Sequence, residues 1–388
     1  MKISPITYYA LAAIFQASGA LGAATLAPFF MKEQGYSVAM AGIPLVMNGI
    51  GRISSDLLSG VLATYFSSGM LLIAAVIIGL VASLWGIFVL DLMAAFLATW
   101  AVLGLTEAMF SLYLRKIAFD QSLPGQQGRA QGQIAAALGI GFTLGPALGG
   151  IVGARWGVNA LFIVYALPQA AALLFIVLAG AQRVSKPTVS GSVVLWREGR
   201  DLLRRPQFLA ACLAIFQAFL FLVGVTRVAF PFLAVARAGL TLDMVGTIVS
   251  LSRLADTFGR LTGGWLCDRM GTARVILLGV LIGVPMFAIE IYGSDFLTLL
   301  IPLSIMTMGF GFTNVGSTTC ALQSAGDAAK GLSLGLARSA TSLGSMFGPL
   351  LAGILIGVFG YDGGFLAMGL ISLGVLLLVW YGLARGEV

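Results

Sequence analysis

Histidine is absent from all 388 residues, and only three cysteines occur. The commonest metal ligand and the usual near-neutral proton shuttle are therefore missing, so any proton chemistry falls to carboxylates. Cys212, Cys267 and Cys320 lie far apart in the sequence and form no C-x-x-C pair, which argues against a metal site or a disulfide framework. Charge is also scarce. Asp, Glu, Lys and Arg make up 10% of the chain and hydrophobic residues 59%, whereas soluble domains carry about 25% charged residues. Most of the surface must then face lipid. No nucleophile–base constellation, metal set or phosphate loop stands out, so an enzyme is not expected, nor is a cofactor.

Apolar stretches are what the chain has in their place. A helix needs about 20 mostly apolar residues to cross the hydrocarbon core. Twelve such runs are predicted, at 6–30, 40–64, 70–91, 93–114, 130–153, 158–181, 207–235, 243–266, 274–293, 296–318, 333–357 and 363–384. The expected fold is an all-α integral membrane protein of twelve transmembrane helices. It divides into six-helix bundles at 1–181 and 207–388, joined by a cytoplasmic linker at 182–206. Leu195, Leu202 and Leu203 among the linker's basic residues suggest a short helix lying on the inner leaflet.

The net charge of +7 invites a nucleic-acid partner, but its distribution points to a bilayer. Lys and Arg outside the apolar runs gather on one side, including Arg115, Lys116, Arg129, Arg183, Lys186, Arg197, Arg200, Arg204 and Arg205. Only Lys32, Arg155 and Arg237 fall on the other. The positive-inside rule then places both termini in the cytoplasm of an inner (plasma) membrane protein. The first apolar run is too long for a signal-peptide core and has no small-residue cleavage site after it, so it counts as a helix.

The two halves repeat one another at an offset of about 203 residues. Gly141-x3-Gly145-Pro146-x2-Gly149-Gly150 returns as Gly344-x3-Gly348-Pro349-x3-Gly353, Pro28 as Pro231, and Ala13-Ile14-Phe15-Gln16-Ala17 as Ala214-Ile215-Phe216-Gln217-Ala218. Hydrophobic proteins built from two similar halves are typically transporters that rock one half against the other. Glycines inside apolar runs let helices approach closely, and those around Pro146 form a small face on helix five that serves packing, a bend, or both.

Gly264-Trp265-Leu266-Cys267-Asp268-Arg269-Met270-Gly271-Thr272-Ala273-Arg274 resembles the loop motif of the major facilitator superfamily, roughly G-x-L-a-D-R-x-G-x-x-R. The resemblance implies twelve helices and a conformational latch made by Asp268, Arg269 and Arg274, with Gly271 turning the chain. Arg338, a few residues into helix eleven, joins this group as a cytoplasmic packing residue. Asp268, close to a helix N-terminus, would gain from the helix dipole. The first-half copy, Gly60 to Gly69, has Thr64 and Tyr65 where Asp and Arg are expected. The glycine–proline signature Gly141, Gly145, Pro146, Gly149, Gly150 is similar to that of drug:proton antiporters in the superfamily. Their helix-four R-x-x-x-G pattern has Trp100 in place of the arginine, before Gly104.

Ionisable residues inside membrane helices are costly and are functional candidates by default. Arg52 and Asp56 on helix two, and Asp256 and Arg260 on helix eight, are four apart and share a face. Each pair could neutralise itself, or could meet substrate or protons. Arg253 precedes Asp256 by one turn. Glu107 on helix four has no basic neighbour one turn away and needs either a proton or a partner such as Arg129 or Arg338. Arg227, one turn before Pro231, is a substrate or gate candidate, and Gln16 and Gln217 are neutral cavity candidates. Glu290 is expected to be solvated.

Two functions fit. One is proton-coupled export of a small organic molecule, with H+ as coupling ion. The other is transport of a small organic anion, since five membrane arginines exceed three carboxylates and the Asp256–Arg260 spacing resembles that of monocarboxylate transporters. A receptor or assembly factor on the same scaffold is a third, lesser reading. The expected partners are a small molecule and the bilayer, with the chain working as a monomer.

Overall fold

The computed structural model describes residues 5–120, 127–180, 202–324 and 330–384. The described residues form eleven helices rather than twelve: α1 (Pro5–Glu33), α2 (Ile43–Tyr65), α3 (Ser68–Phe88), α4 (Met93–Asp120), α5 (Gln127–Trp156), α6 (Leu161–Leu178), α7 (Pro206–Ala238), α8 (Leu242–Met270), α9 (Thr272–Glu290), α10 (Phe296–Gln323) and α11 (Lys330–Ala384). The missing boundary lies in α11, where the expected eleventh and twelfth helices run together. Gly360 (φ 70°) turns the chain there, a conformation that glycine adopts without steric cost. Most of the linker, including Leu195 of its expected amphipathic helix, lies outside the described residues, while Leu202 is buried and Leu203 exposed.

Nine of the eleven helices are long and apolar enough to cross a membrane, counting described residues only. The two that are not are α2 and α8. These repeat-related helices carry Arg52 and Asp56 in one half, and Arg253, Asp256 and Arg260 in the other. Their polarity depresses the apolar average, so the helices with the weakest membrane signal are those with the most chemistry.

Packing divides the chain into two compact units. The first holds α1–α6 together with Thr241–Ser250 at the start of α8. The second holds α7, the rest of α8, α9–α11 and the segment Tyr36–Gly42.

Glycines set the crossings within each unit. In the first, a Cβ on Gly141 would lie 2.6 Å from the Ile14 carbonyl oxygen, and one on Gly145 would lie 2.8 Å from that of Ser18. Gly149 backs onto Gly22, and Gly150 onto Leu242 at the start of α8. The helix-five signature is thus a backbone-to-backbone seam. Its repeat in the second unit seats Gly344 on Phe216 and Gly348 on Leu220, so α7 and α11 cross as α1 and α5 do. The sequence repeat is therefore a repeat of contacts.

Candidate functional site

In the first unit α2 and α4 cross backbone to backbone. A Cβ on Gly51 would collide with the Ala101 carbonyl, and one on Gly104 with the Asn48 carbonyl. No larger residue allows this approach, and it brings the polar side chains of the two helices together. Arg52 Nη1 donates to Glu107 Oε2 at 3.2 Å, and Asn48 Nδ2 donates to Glu107 Oε1 at 3.4 Å. Glu107's side chain is only 11% exposed and Arg52's 43%, so the carboxylate is the more sheltered member of the pair.

This arrangement adds a partner the sequence reading did not name. Arg52 pairs with Glu107 on another helix, and Glu107 finds a basic partner in Arg52, which spacing along one helix did not suggest. The backbone of Asp56 lies in α2, but its side chain is outside the described residues, as is that of Arg129.

Tyr165 of α6 reaches this cluster, lying beside Glu107, Thr106 and Gln16, and is 1% exposed. Gln16 of α1 is buried there too, while Gln169 donates to the Val76 carbonyl at 3.4 Å. Sequence reasoning passed over Asn48 and Tyr165. Asn48 could have been found, since it precedes Arg52 by four residues on the same helical face. Tyr165 sits in an unbroken apolar run and gives no signal. Trp100, in the position of the family's arginine, is buried among Phe96 and Phe162, its indole 6.3 Å from the Phe162 ring.

In the second unit the charges gather where α7 changes pitch. Val225–Ala229 forms a π-helical turn containing Arg227. Pro231 just beyond it has no N–H to offer the Arg227 carbonyl, a local reason for the altered hydrogen bonding. Arg253 of α8 donates from Nη2 to Thr226 Oγ1 at 3.1 Å. Asp256, 5% exposed, accepts two bonds from Arg260, from Nε at 3.0 Å and Nη2 at 2.9 Å. This local pair is the one anticipated, and its fork geometry is the strong form of the contact. Gln217 is buried and donates from Nε2 to Ser372, through both its hydroxyl and its carbonyl oxygen.

The loop-motif residues lie at the other end of α8. Asp268 occupies the last turn of that helix rather than a helix N-terminus, so the expected dipole gain does not apply. Asp268, Arg269, Arg274 and Arg338 are all exposed, and no ion pair among the described residues includes Asp268 or Arg274. Arg269 lies over the Trp265 ring at 4.0 Å. Gly271 (φ 85°) makes the turn into α9. A cavity of about 390 Å³ opens beside it, lined by Arg274, Thr272, Gln323, Cys267 and Cys320. The cysteines are therefore less scattered than in sequence: Cys267 and Cys320 share this cavity, and Cys212 and Cys320 share one apolar cluster.

Glu290 is a further correction. It is buried rather than solvated. Asp295, by contrast, stays at the surface as the N-cap of α10, where hydrogen bonds from the N–H groups of Thr298 and Leu297 hold its carboxyl below the ordinary carboxylate range.

Comparison with known proteins bears on what these clusters do. The sequence model of the Major Facilitator Superfamily matches residues 9–338, and again 224–387. Multidrug resistance protein 2 of Bacillus subtilis is 26% identical over 236 residues, covering 59% of this chain and 58% of that protein. The multi-drug resistance efflux pump PmrA homolog of Lactococcus lactis is 26% identical over 369 residues, covering 86% and 87%. In fold, the chain superposes on the crystal structure of the nucleoside transporter NupG with a TM-score of 0.81 at 15% identity, covering 98% of this chain and 99% of that one.

Proposed function

The chain belongs to the major facilitator superfamily and is an integral membrane protein, and on that premise we propose that it exports a small organic molecule in exchange for protons by rocker-switch alternating access. It crosses the inner (plasma) membrane twelve times, α11 supplying two crossings on either side of Gly360, with both termini in the cytoplasm. Two relatives with efflux or multidrug resistance in their names support the direction and the substrate class.

The observation that carries the proposal is the Arg52–Glu107 pair, with its sheltered carboxylate, in a chain that has no histidine. A proton arriving on Glu107 removes the charge that holds Arg52, and an ion pair re-formed later expels it. Protonation and helix position are thereby linked, because the two residues sit on different helices. Asn48 keeps a bond to either form by rotating its amide, and Tyr165 screens the carboxyl from apolar neighbours. Asp256 with Arg260 and Arg253, Asp56, and the polar Gln16 and Gln217 complete the substrate and proton pathway. Asp268, Arg269, Gly271, Arg274 and Arg338 serve the conformational latch.

A second reading rests on the charge balance of the second unit. There Arg227, Arg253 and Arg260 stand with Asp256, an excess of positive charge that suits a small organic anion. Thermal unfolding of the detergent-purified protein separates the two. Tetraphenylphosphonium should raise the midpoint, more strongly at higher pH where carboxylates are free. At 100 times Kd the stabilisation is about 2.7 kcal/mol. Stabilisation by benzoate instead, lost in Arg227→Gln or Arg260→Gln, would replace the exporter with an anion carrier.

A further inference from the structure

Glu290 ends α9 within the second unit, five residues before the surface cap Asp295. Its side chain is 0% exposed, and neither carboxyl oxygen has a hydrogen-bond partner among the described residues. Apolar packing explains the burial. Phe287, one turn earlier, meets Phe221 of α7 edge-on with ring centroids 5.4 Å apart and lies against Gly369 of α11. Leu299 of α10, itself fully buried, packs on Gly293 just beyond.

The charged groups of the surrounding elements are engaged elsewhere. At the start of α10, Asp295 accepts from the N–H groups of Leu297 and Thr298. On α11, Asp362 pairs with Arg237 of α7. Arg227 of α7 makes no hydrogen bond to either Glu290 oxygen. Among the phenols, Tyr292 is exposed and Tyr361 half-buried. Arg274 is at the opposite end of α9. A carboxylate without water, donor or counter-ion is strongly disfavoured, whereas the neutral acid carries no charge into the apolar packing.

We propose that Glu290 is a second proton-binding site, filled in this conformation and emptied when the end of α9 opens to water. Loading forms one O–H bond on the carboxylate with a proton taken from water, and opening returns that proton to water. The repeat supplies no counterpart, since Gly86 stands at the corresponding position in the first half, so the site belongs to the second unit alone. The inference deepens the proton-coupled reading, on which its role in transport rests. Occupancy of the site does not depend on that reading.

Glu290→Gln preserves the size and neutrality of the acid but cannot release a proton. Infrared difference spectra between H2O and D2O should show a protonated-carboxyl band in the wild type that disappears in Glu290→Gln and persists in Glu107→Gln. In proteoliposomes Glu290→Gln should lose proton-driven tetraphenylphosphonium transport at least tenfold while keeping substrate counterflow, and Glu290→Asp should restore part of it. An unchanged band in Glu290→Gln overturns the proposal. So does wild-type coupled transport by that variant, because a merely packed neutral acid tolerates the amide. If Glu290→Gln fails to fold, the same band and transport are read in Glu290→Asp, where a band at the wild-type frequency with unaltered coupling counts against the site. Loss of coupling in Glu107→Gln but not in Glu290→Gln removes this inference and leaves the transport reading standing. An absence of proton exchange in the wild type removes the transport reading, and the infrared band then decides the binding site by itself.

Discussion

Replacing Glu107 by Gln is expected to lower proton-driven export by roughly 100-fold, the low end of what a positioned proton-transferring side chain contributes. The substitution leaves the fold nearly untouched. Gln has the shape of the protonated acid, keeps an oxygen for the Asn48 amide, and leaves a guanidinium that is 43% exposed rather than enclosed in the packing. What disappears is the alternation between an ion pair with Arg52 and a neutral acid. Substrate counterflow, which needs movement but no net proton transfer, should survive. Glu107→Asp keeps a titrating group on a shorter stem and should recover part of the activity. Export and counterflow assays in proteoliposomes read both. Equal loss of the two in Glu107→Gln would show a structural role instead.

The second large effect is on stability. Gly104→Ala places a methyl group inside van der Waals contact of the Asn48 carbonyl, and Gly51→Ala does the same at Ala101. Both obstacles are backbone, so neither can rotate away and the helices must separate. Overpacking of this kind costs about 1–3 kcal/mol, occasionally more. The same separation pulls Asn48 and Arg52 away from Glu107, only three residues beyond Gly104. Gly139→Ala is the control, because a Cβ there meets nothing within 4 Å. Alanine is the better helix former, so that variant should be neutral or slightly stabilised. Thermal midpoints in detergent separate the three variants. A Gly104→Ala protein as stable as Gly139→Ala would contradict the crossing.

The contrast between these glycines shows what could be read from the sequence. Small residues repeated at the same spacing in both halves announced close helix crossings, and the seams at Gly141/Gly145 and Gly344/Gly348 follow the repeat. Composition and apolar runs sufficed for a helical membrane protein. Charge partners were less accessible. Spacing along one helix identified Asp256–Arg260, but the same rule offered Arg52 only Asp56 and gave no hint of Glu107, 55 residues away, which binds that arginine. Which residues face one another across a crossing depends on rotation about two helix axes, which no local pattern encodes. Glu290 misled for a related reason. Its place near a loop implied water, but the rings and aliphatic side chains that exclude water come from α7, α10 and α11. The boundary within α11 was a matter of continuity: a single left-handed glycine separates two apolar runs that look distinct in sequence.

The central claim is exchange of substrate for protons, and lumenal pH tests it most directly. Proteoliposomes are loaded with tetraphenylphosphonium and a pH-sensitive dye, then diluted so that the substrate leaves down its gradient. Exchange predicts acidification of the lumen as protons enter, absent in Glu107→Gln and abolished by a protonophore. Exit of substrate with no change in lumenal pH, or with alkalinisation, would contradict it.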